Sequence, residues 1–557
     1  MMKERIYILT VACFCTLTLL AQPSWVKKAT KSVFTLKTFD ADNQLAASSN
    51  GFFVGKQGEA VAPYSVFKGA SRAVVIDADG KEWAVSQMLG ANETYDVTKF
   101  QVAIKKSQPL EIAAQPATTE TALWLLPYHE LKNVPQAIVR KAEQFAGSHQ
   151  YYTLALQMPD QTVGCPLLNE EGKVVGLMQQ PAKQGDTLSY AVSASYADSL
   201  TISGLSINDR ALKAIGIKKA LPATIDQCVL MLYIGASSLD STSYTQLADE
   251  VIAKFPKEPD GYQYRAPLHL AAHDFDAAQR DMEQAIGYAE KKDEAHFSFS
   301  RLILQKELYM KAFPYEPWSL DKALSEAKEA YAINPLPLYQ QQQAVILFAQ
   351  QKYQEAGDLY LALTQTDLRS PELFYEASRC KELLTDTTAQ LALLDSAVAM
   401  FSRPLLKEAA PYLLARAQVR LNLKKYRDAV FDMNDYERLM RSQLNANFYY
   451  LRYQADMGGH LYQQALDDID RAIQLDEKDG FYYAEKAALL VRVGHYEEAA
   501  ETARQLIQLE PKQSDGYLFL GLALCLDNKK AEGLQQLQKA LDMGDPQAAE
   551  FIEKYGK

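Results

Sequence analysis

The sequence predicts a two-part β + α protein: an amino-terminal domain of short β-strands followed by an all-α solenoid of helical hairpins. Three observations carry this. From Lys31 to about Ile202, apolar and β-branched residues come in short runs broken by turn residues. From about Thr224 they recur at helical spacing. The helical half also repeats itself. With 557 residues and a hydrophobic fraction of 48%, the chain has ample core for several domains.

In chain order, Lys3 and Arg5 precede an almost wholly apolar run, Ile6 to Leu20, and Ala21 sets a small residue before Gln22. That is the pattern of an export signal over residues 1–21. An uncleaved anchor or a lipid-modified Cys13 are the alternative readings. No later segment is long and apolar enough to span a bilayer. The expectation is an exported mature chain, most simply periplasmic. A formal net charge of −11 and the lack of basic runs beyond pairs such as Lys27-Lys28 argue against nucleic acid as a partner. Beyond the signal, Cys165, Cys228, Cys380 and Cys525 are widely spaced, without C-x-x-C or metal spacing, and no disulfide is expected.

Within residues 22–205, Ser32–Phe39, Gly51–Val54, Ala73–Ile76 and Glu82–Val85 read as strands. Asp77-Ala78-Asp79-Gly80 is a hairpin turn between the last two. Asn169 to Lys173 likewise separates Leu167-Leu168 from Val174-Val175-Gly176-Leu177. Many short strands at this spacing predict a sandwich or barrels. Residues 206–223 read as a linker.

Over 224–557 one pattern recurs: a small residue, an apolar one four later, another three after that. The instances begin at Ala278, Ala323, Ala356, Ala392, Ala429, Ala465, Ala499 and Gly533. Successive starts lie 33 to 37 residues apart except for one gap of 45, where Ala312 to Pro317 reads as a longer loop. A weak first unit is placed at Leu247-Val251-Lys254. Asp545-Pro546 reads as the start of a capping helix. The three positions share one helical face, and a small side chain lets two helices approach closely. The period of about 34 resembles tetratricopeptide (TPR) arrays, which implies eight or nine hairpins binding a partner protein or peptide through their concave face. Aromatic residues on the first helices, Tyr412, Phe448, Tyr449, Phe481, Tyr482 and Tyr517, are the groove candidates.

The strand half carries a second resemblance. Ser49-Asn50-Gly51-Phe52-Phe53-Val54, Gly58 to Phe67, Tyr95 to Phe100, Val163 to Asn169 with Gly172 to Gly176, and Ser189 to Ser193 resemble, in order, the segments of trypsin-like proteases of the HtrA type. The resemblance implies a double β-barrel. Its chemistry does not carry over, because Ser65 stands at the histidine position and Val163 at the nucleophile position, with only the carboxylate, Asp96, kept. None of the seven histidines precedes Asp96. A valine cannot attack a carbonyl, and a serine cannot act as the base. Ser65 is expected to fill the vacated space and hydrogen-bond Asp96. Cys165, two residues past the nucleophile position, is the outside candidate for a thiol nucleophile, with His149 the nearest histidine in sequence. His269 and His273 have metal-ligand spacing but lack an evident third ligand, so no metal or cofactor is expected. The expectation is an exported adaptor with an inactive protease-like domain. The alternatives are a peptidase using Cys165 or an unrecognised nucleophile, and a chaperone-like holdase.

Overall fold

The structure, a computed structural model, describes residues 23–128, 134–181 and 187–557. The expected signal segment, with Cys13, lies outside the described residues, as does His129. Two compact units divide after Ala289.

The first unit opens with two closed antiparallel barrels of six strands. The first contains β1 (Val33–Phe39), β2 (Leu45–Phe53), β3 (Glu59–Ala62), β4 (Arg72–Ile76), β5 (Glu82–Asn92) and β6 (Val97–Val102), closed in the order β1-β2-β3-β6-β5-β4. The second contains β7 (Ala122–Leu125), β8 (Gln136–Phe145), β9 (His149–Ala155), β10 (Pro166–Leu168), β11 (Val174–Met178) and β12 (Ser189–Ser193), in the order β10-β11-β12-β9-β8-β7. Read from the other end, the second order is the first order repeated, so one connectivity is used twice. Closure removes the exposed strand edges. The double barrel implied by the resemblance is thus the observed architecture.

Local chemistry explains the hairpins. Asp77 Oδ1 accepts the amides of Asp79 and Lys81, at 3.0 and 2.9 Å, and Gly80 supplies a left-handed φ of 79°. The Asn169 side chain accepts the Lys173 amide in the matching turn of the second barrel. Inside the first barrel Phe34 packs on Phe53 with centroids 4.8 Å apart, and Phe67 on Phe100 at 4.9 Å. The second core gathers Leu123, Leu125, Tyr152, Leu154, Leu167 and Val192.

The stretch expected as a linker is a built part of the first barrel from Asp209 onward. Ala211, Leu212, Ile215 and Ile217 are buried in its core. The Met88 amide donates to the Lys218 carbonyl, and the Ala220 amide donates back to Met88. Apolar side chains at this density cannot stay in water, so the segment docks.

Helices follow in pairs. In the first unit these are α1 (Ile225–Ser238) with α2 (Ser241–Lys254), and α3 (Pro259–Ala271) with α4 (Phe275–Tyr288). The second unit contains α5 (Asp293–Tyr309) with α6 (Leu320–Ile333), α7 (Pro337–Ala349) with α8 (Tyr353–Leu363), α9 (Pro371–Leu383) with α10 (Thr387–Ala399), and α11 (Ala410–Asn422) with α12 (Tyr426–Met440). It continues with α13 (Ala446–Gly458) and α14 (Tyr462–Leu475), α15 (Gly480–Val493) and α16 (Tyr496–Leu509), and α17 (Asp515–Leu526) and α18 (Lys530–Asp542), before α19 (Pro546–Gly556). In seven pairs the turn contains one left-handed residue: His273, Gln351, Thr385, Lys424, His460, Gly494 or Asn528. This is the conformation that ends a helix and reverses the chain.

Ala278, Ala323, Ala356, Ala429, Ala465 and Ala499 are wholly buried at the start of the repeated face. Two registers differ from expectation. Ala392 is exposed, and the buried face of α10 runs through Gln390, Leu394 and Ala397. Its first position is a glutamine, so a search for small residues slipped by two. The extra residues lie instead between Met400 and Ala409, where Leu405 and Ala409 are buried. In α2 the buried set is Tyr244, Ala248 and Val251, three residues before the expected Leu247 register.

A recurring ionic clamp ties neighbouring pairs. Arg416 forks onto Asp432 at 3.0 and 2.6 Å and reaches Asp395 of the preceding pair at 3.0 Å. Arg452 grips Asp468 at 2.7 Å through two nitrogens and Glu437 at 2.6 Å. Arg265 repeats this with Asp281 and Asp249. In each, the forked aspartate is nearly or fully buried and lies 16 residues after its arginine. That spacing was the signal available in the sequence.

Candidate functional site

Ser65, Asp96 and Val163 sit where the two barrels meet. Pro63 ends β3 and introduces a short 3-10 turn, Tyr64–Val66, that presents Ser65 to solvent. Asp96 lies in the β5–β6 turn with a φ of 50°. Its two carboxylate oxygens are both engaged by Ser65: the amide donates to Oδ1 at 2.6 Å and the hydroxyl to Oδ2 at 3.1 Å. The expected hydrogen bond is formed. Chemically this arrangement holds two turns together, because a hydroxyl donating to a carboxylate offers no base at neutral pH.

Val163 belongs to the turn before β10. Its carbonyl accepts from the Asn50 amide, the Asn50 Nδ2 and the Ser49 Oγ, each at 3.1 Å. The first barrel therefore grips the second at this residue. Gly164 has a φ of 81°, and a Cβ there would lie 2.0 Å from the Asn50 carbonyl oxygen and 3.0 Å from Pro63 Cδ. Pro63 is two residues from Ser65, so the Val163 turn and the Ser65–Asp96 pair are neighbours. The Val163 side chain contributes only hydrocarbon to this turn.

Cys165 is fully buried, and burial pushes its thiol up to about 12. It is a packed core residue and offers no thiolate near neutral pH. His149 is engaged elsewhere: Nδ1 lies 3.0 Å from Ser195 Oγ, and the ring packs against Phe145 and Tyr196.

Sequence reasoning missed the aromatic surroundings of Asp96. Tyr95 stacks on Phe145 with centroids 4.0 Å apart, and the Gln179 amide donates to the Tyr95 carbonyl. Tyr151 and Tyr190, on paired strands β9 and β12, stack at 6.3 Å. Burial first, then the neighbouring Tyr190, then the Asp96 carboxylate raise the Tyr151 phenol above its usual value. The alternation around Tyr151 and Tyr190 was the available signal.

In the helical half the groove candidates divide. Phe448, Tyr449, Tyr482 and Tyr517 are buried packing residues. Their phenols are satisfied internally, Tyr449 on Glu437, Tyr482 on Asn447 and Tyr517 on the Pro511 carbonyl. Helix pairs need bulk between them, and these rings supply it. Tyr412 is half-buried between Tyr375 and Phe401. Phe481 is 47% exposed and sits edge-on to Tyr450 at 5.0 Å. A cavity of about 280 Å³ opens between Leu414, Tyr436, Leu444, Asn447, Phe448 and Leu451. His269 and His273 do not converge. His269 Nε2 lies 3.5 Å from Asp281, while His273 occupies the left-handed turn and packs on Phe275.

No family model matches the chain. It is 29% identical over 93 residues to small glutamine-rich tetratricopeptide repeat-containing protein 2 of Saccharomyces cerevisiae, covering 17% of this chain and 27% of that protein. It is 28% identical over 85 residues to the protein of the same name from Mycosarcoma maydis, covering 15% and 24%. The chain thus spans about a quarter of the length of the curated relatives it matches. Among solved structures, it is similar to the active form of the Rv3671c protease from M. tuberculosis, with 19% identity, a TM-score of 0.29, and coverage of 37% of this chain and 91% of that one. The inactive form gives 18%, 0.26, 32% and 95%. The chain joins two closed six-stranded barrels to an array of helical hairpins, part of which is similar in sequence to tetratricopeptide repeat proteins.

Proposed function

We propose that this is an exported, most simply periplasmic, adaptor. In this reading the protease-like domain is inactive and the helical array binds a partner protein or peptide. One observation carries the reading. Ser65 donates both its amide and its hydroxyl to Asp96, beside the turn that presents Val163; by the resemblance, these two residues would stand where a protease has its histidine and serine. The Asp96 carboxylate is thereby used to hold structure, with no base for it to orient. The buried, strongly raised Cys165 thiol supports the same reading against a thiol peptidase.

Incubating the full chain with casein tests the first half: no cleavage is expected, and cleavage abolished by Cys165→Ala would overturn it. Crosslinking in the native compartment tests the second half. An adaptor recovers one or two partners, whereas recovery of many unrelated exported chains would favour a holdase.

A further inference from the structure

A feature unconnected with the triad lies on the first unit. Five lysines, Lys27, Lys28, Lys31, Lys56 and Lys106, line one open concavity of about 750 Å³. They come from three separate segments. The first three lie on the helical turns preceding β1, whose apolar side, Val26 and Ala29, is buried in the second-barrel core. Trp25 pins that segment, its indole donating to the Glu170 carbonyl at 2.9 Å. Lys56 lies in the turn after β2, and Lys106 follows β6. Buried Ser107 joins these two: its amide donates to the Lys56 carbonyl at 3.0 Å and its hydroxyl to the Gly55 carbonyl at 2.6 Å. The backbones that carry the five charges are therefore held in place.

Among the described residues, no carboxylate lines the concavity. Elsewhere in the barrels Lys68, Lys99, Lys141 and Lys173 each hold a carboxylate within 3.6 Å. Among the described residues, none of the five takes part in such a pair. In a chain of net charge −11, five uncompensated ammonium groups around one hollow repel one another, and an anion in the hollow relieves that repulsion.

We infer that this concavity binds a multiply phosphorylated ligand. Each phosphate monoester carries about −1.5 to −2 charges, so two or three such groups balance five lysines. Ammonium groups on flexible stems suit phosphates as point charges, without the planar geometry of an arginine fork. Such phosphates come free in solution or on a lipid headgroup, and the two sources separate in the experiment.

The full chain is titrated with sodium tripolyphosphate, and separately with vesicles of phosphatidylcholine containing phosphatidylinositol 4,5-bisphosphate, at low and physiological salt. Binding of either probe, weakened by salt, is expected, and the probe that binds identifies the source. A lysine facing an anionic surface contributes roughly a factor of five, so K27Q/K28Q/K31Q is expected to weaken binding by about a hundredfold. K56Q/K106Q, in the turns after β2 and β6, is expected to weaken it about 25-fold. All five side chains are exposed, and circular dichroism checks that the variants keep their fold. K424Q/K425Q in the helical array is the control and is expected to bind as the parent does. Failure of both probes to bind, full binding by both concavity variants, or an equal loss in the control would overturn the inference.

Discussion

Replacing Asp456 by asparagine tests a buried acid pair at the crossing of α13 and α14. Asp456 is 1% exposed, and its Oδ1 has no hydrogen-bond partner among the described residues. Burial first, then repulsion from Asp468, push its carboxyl from 3.8 up to about 7. Burial also raises Asp468, against the pull of Arg452. An acid whose folded value is raised keeps a proton that the unfolded chain releases. Its stabilising effect is complete below the unfolded value and is lost as pH rises toward the folded one. At about 1.4 kcal/mol per unit, the loss reaches about 4 kcal/mol at pH 8 and about 2 kcal/mol at pH 5. Asparagine cannot ionise, and its amide can still donate to Asp468. Asp456→Asn should therefore stabilise this hairpin by those amounts, more at pH 8 than at pH 5. A repeat array does not unfold in two states, so the assay is amide hydrogen exchange across Ala446–Leu475, corrected for intrinsic rates. Equal protection of parent and variant at pH 8, or a gain larger at pH 5 than at pH 8, would refute the reasoning.

Three further outcomes are expected. Cys165 in the native chain should resist iodoacetamide at pH 8 and react once the chain is unfolded in urea; rapid native labelling seen by mass spectrometry would contradict its burial. Gly164→Ala must accommodate a Cβ 2.0 Å from the Asn50 carbonyl oxygen at a left-handed φ. It should cost about 2–4 kcal/mol, read as loss of exchange protection in β2 and β10. Arg265→Met takes from the buried Asp281 its forked guanidinium partner and should cost about 3–5 kcal/mol, whereas Arg265→Met with Asp281→Leu should recover most of that. Equal exchange rates in the single and double variants would argue against an ionic origin.

The strand half was legible because its turns speak locally: Asp77 to Gly80 and Asn169 to Lys173 encode their own hydrogen bonds. The helical period was legible wherever a small residue opens the buried face. It was misread at Ala392, where Gln390 takes that position, and in α2, where Tyr244 does. The spacing gives the period, and only packing tells which neighbouring residue meets the partner helix. Burial decided the groove candidates in the same way. Tyr482 and Phe481 are adjacent in sequence, yet one fills the core and the other faces solvent. That Ser65 offers no base and Val163 no nucleophile could be read directly, because each is a property of the side chain itself. The triple hold on the Val163 carbonyl could not be read, since it joins residues more than a hundred positions apart.

The guanidinium clamps give the array an uneven mechanical character. In the second unit Arg416 and Arg452 each bolt a pair to the one before, so the pairs from α9 to α14 share two ionic rivets at consecutive joints. Pulled from its ends, such a chain of hairpins would not peel uniformly. The stretch held by these guanidinium forks would resist as one block while pairs without such a fork yield, and the extension trace would step in multiples of a hairpin.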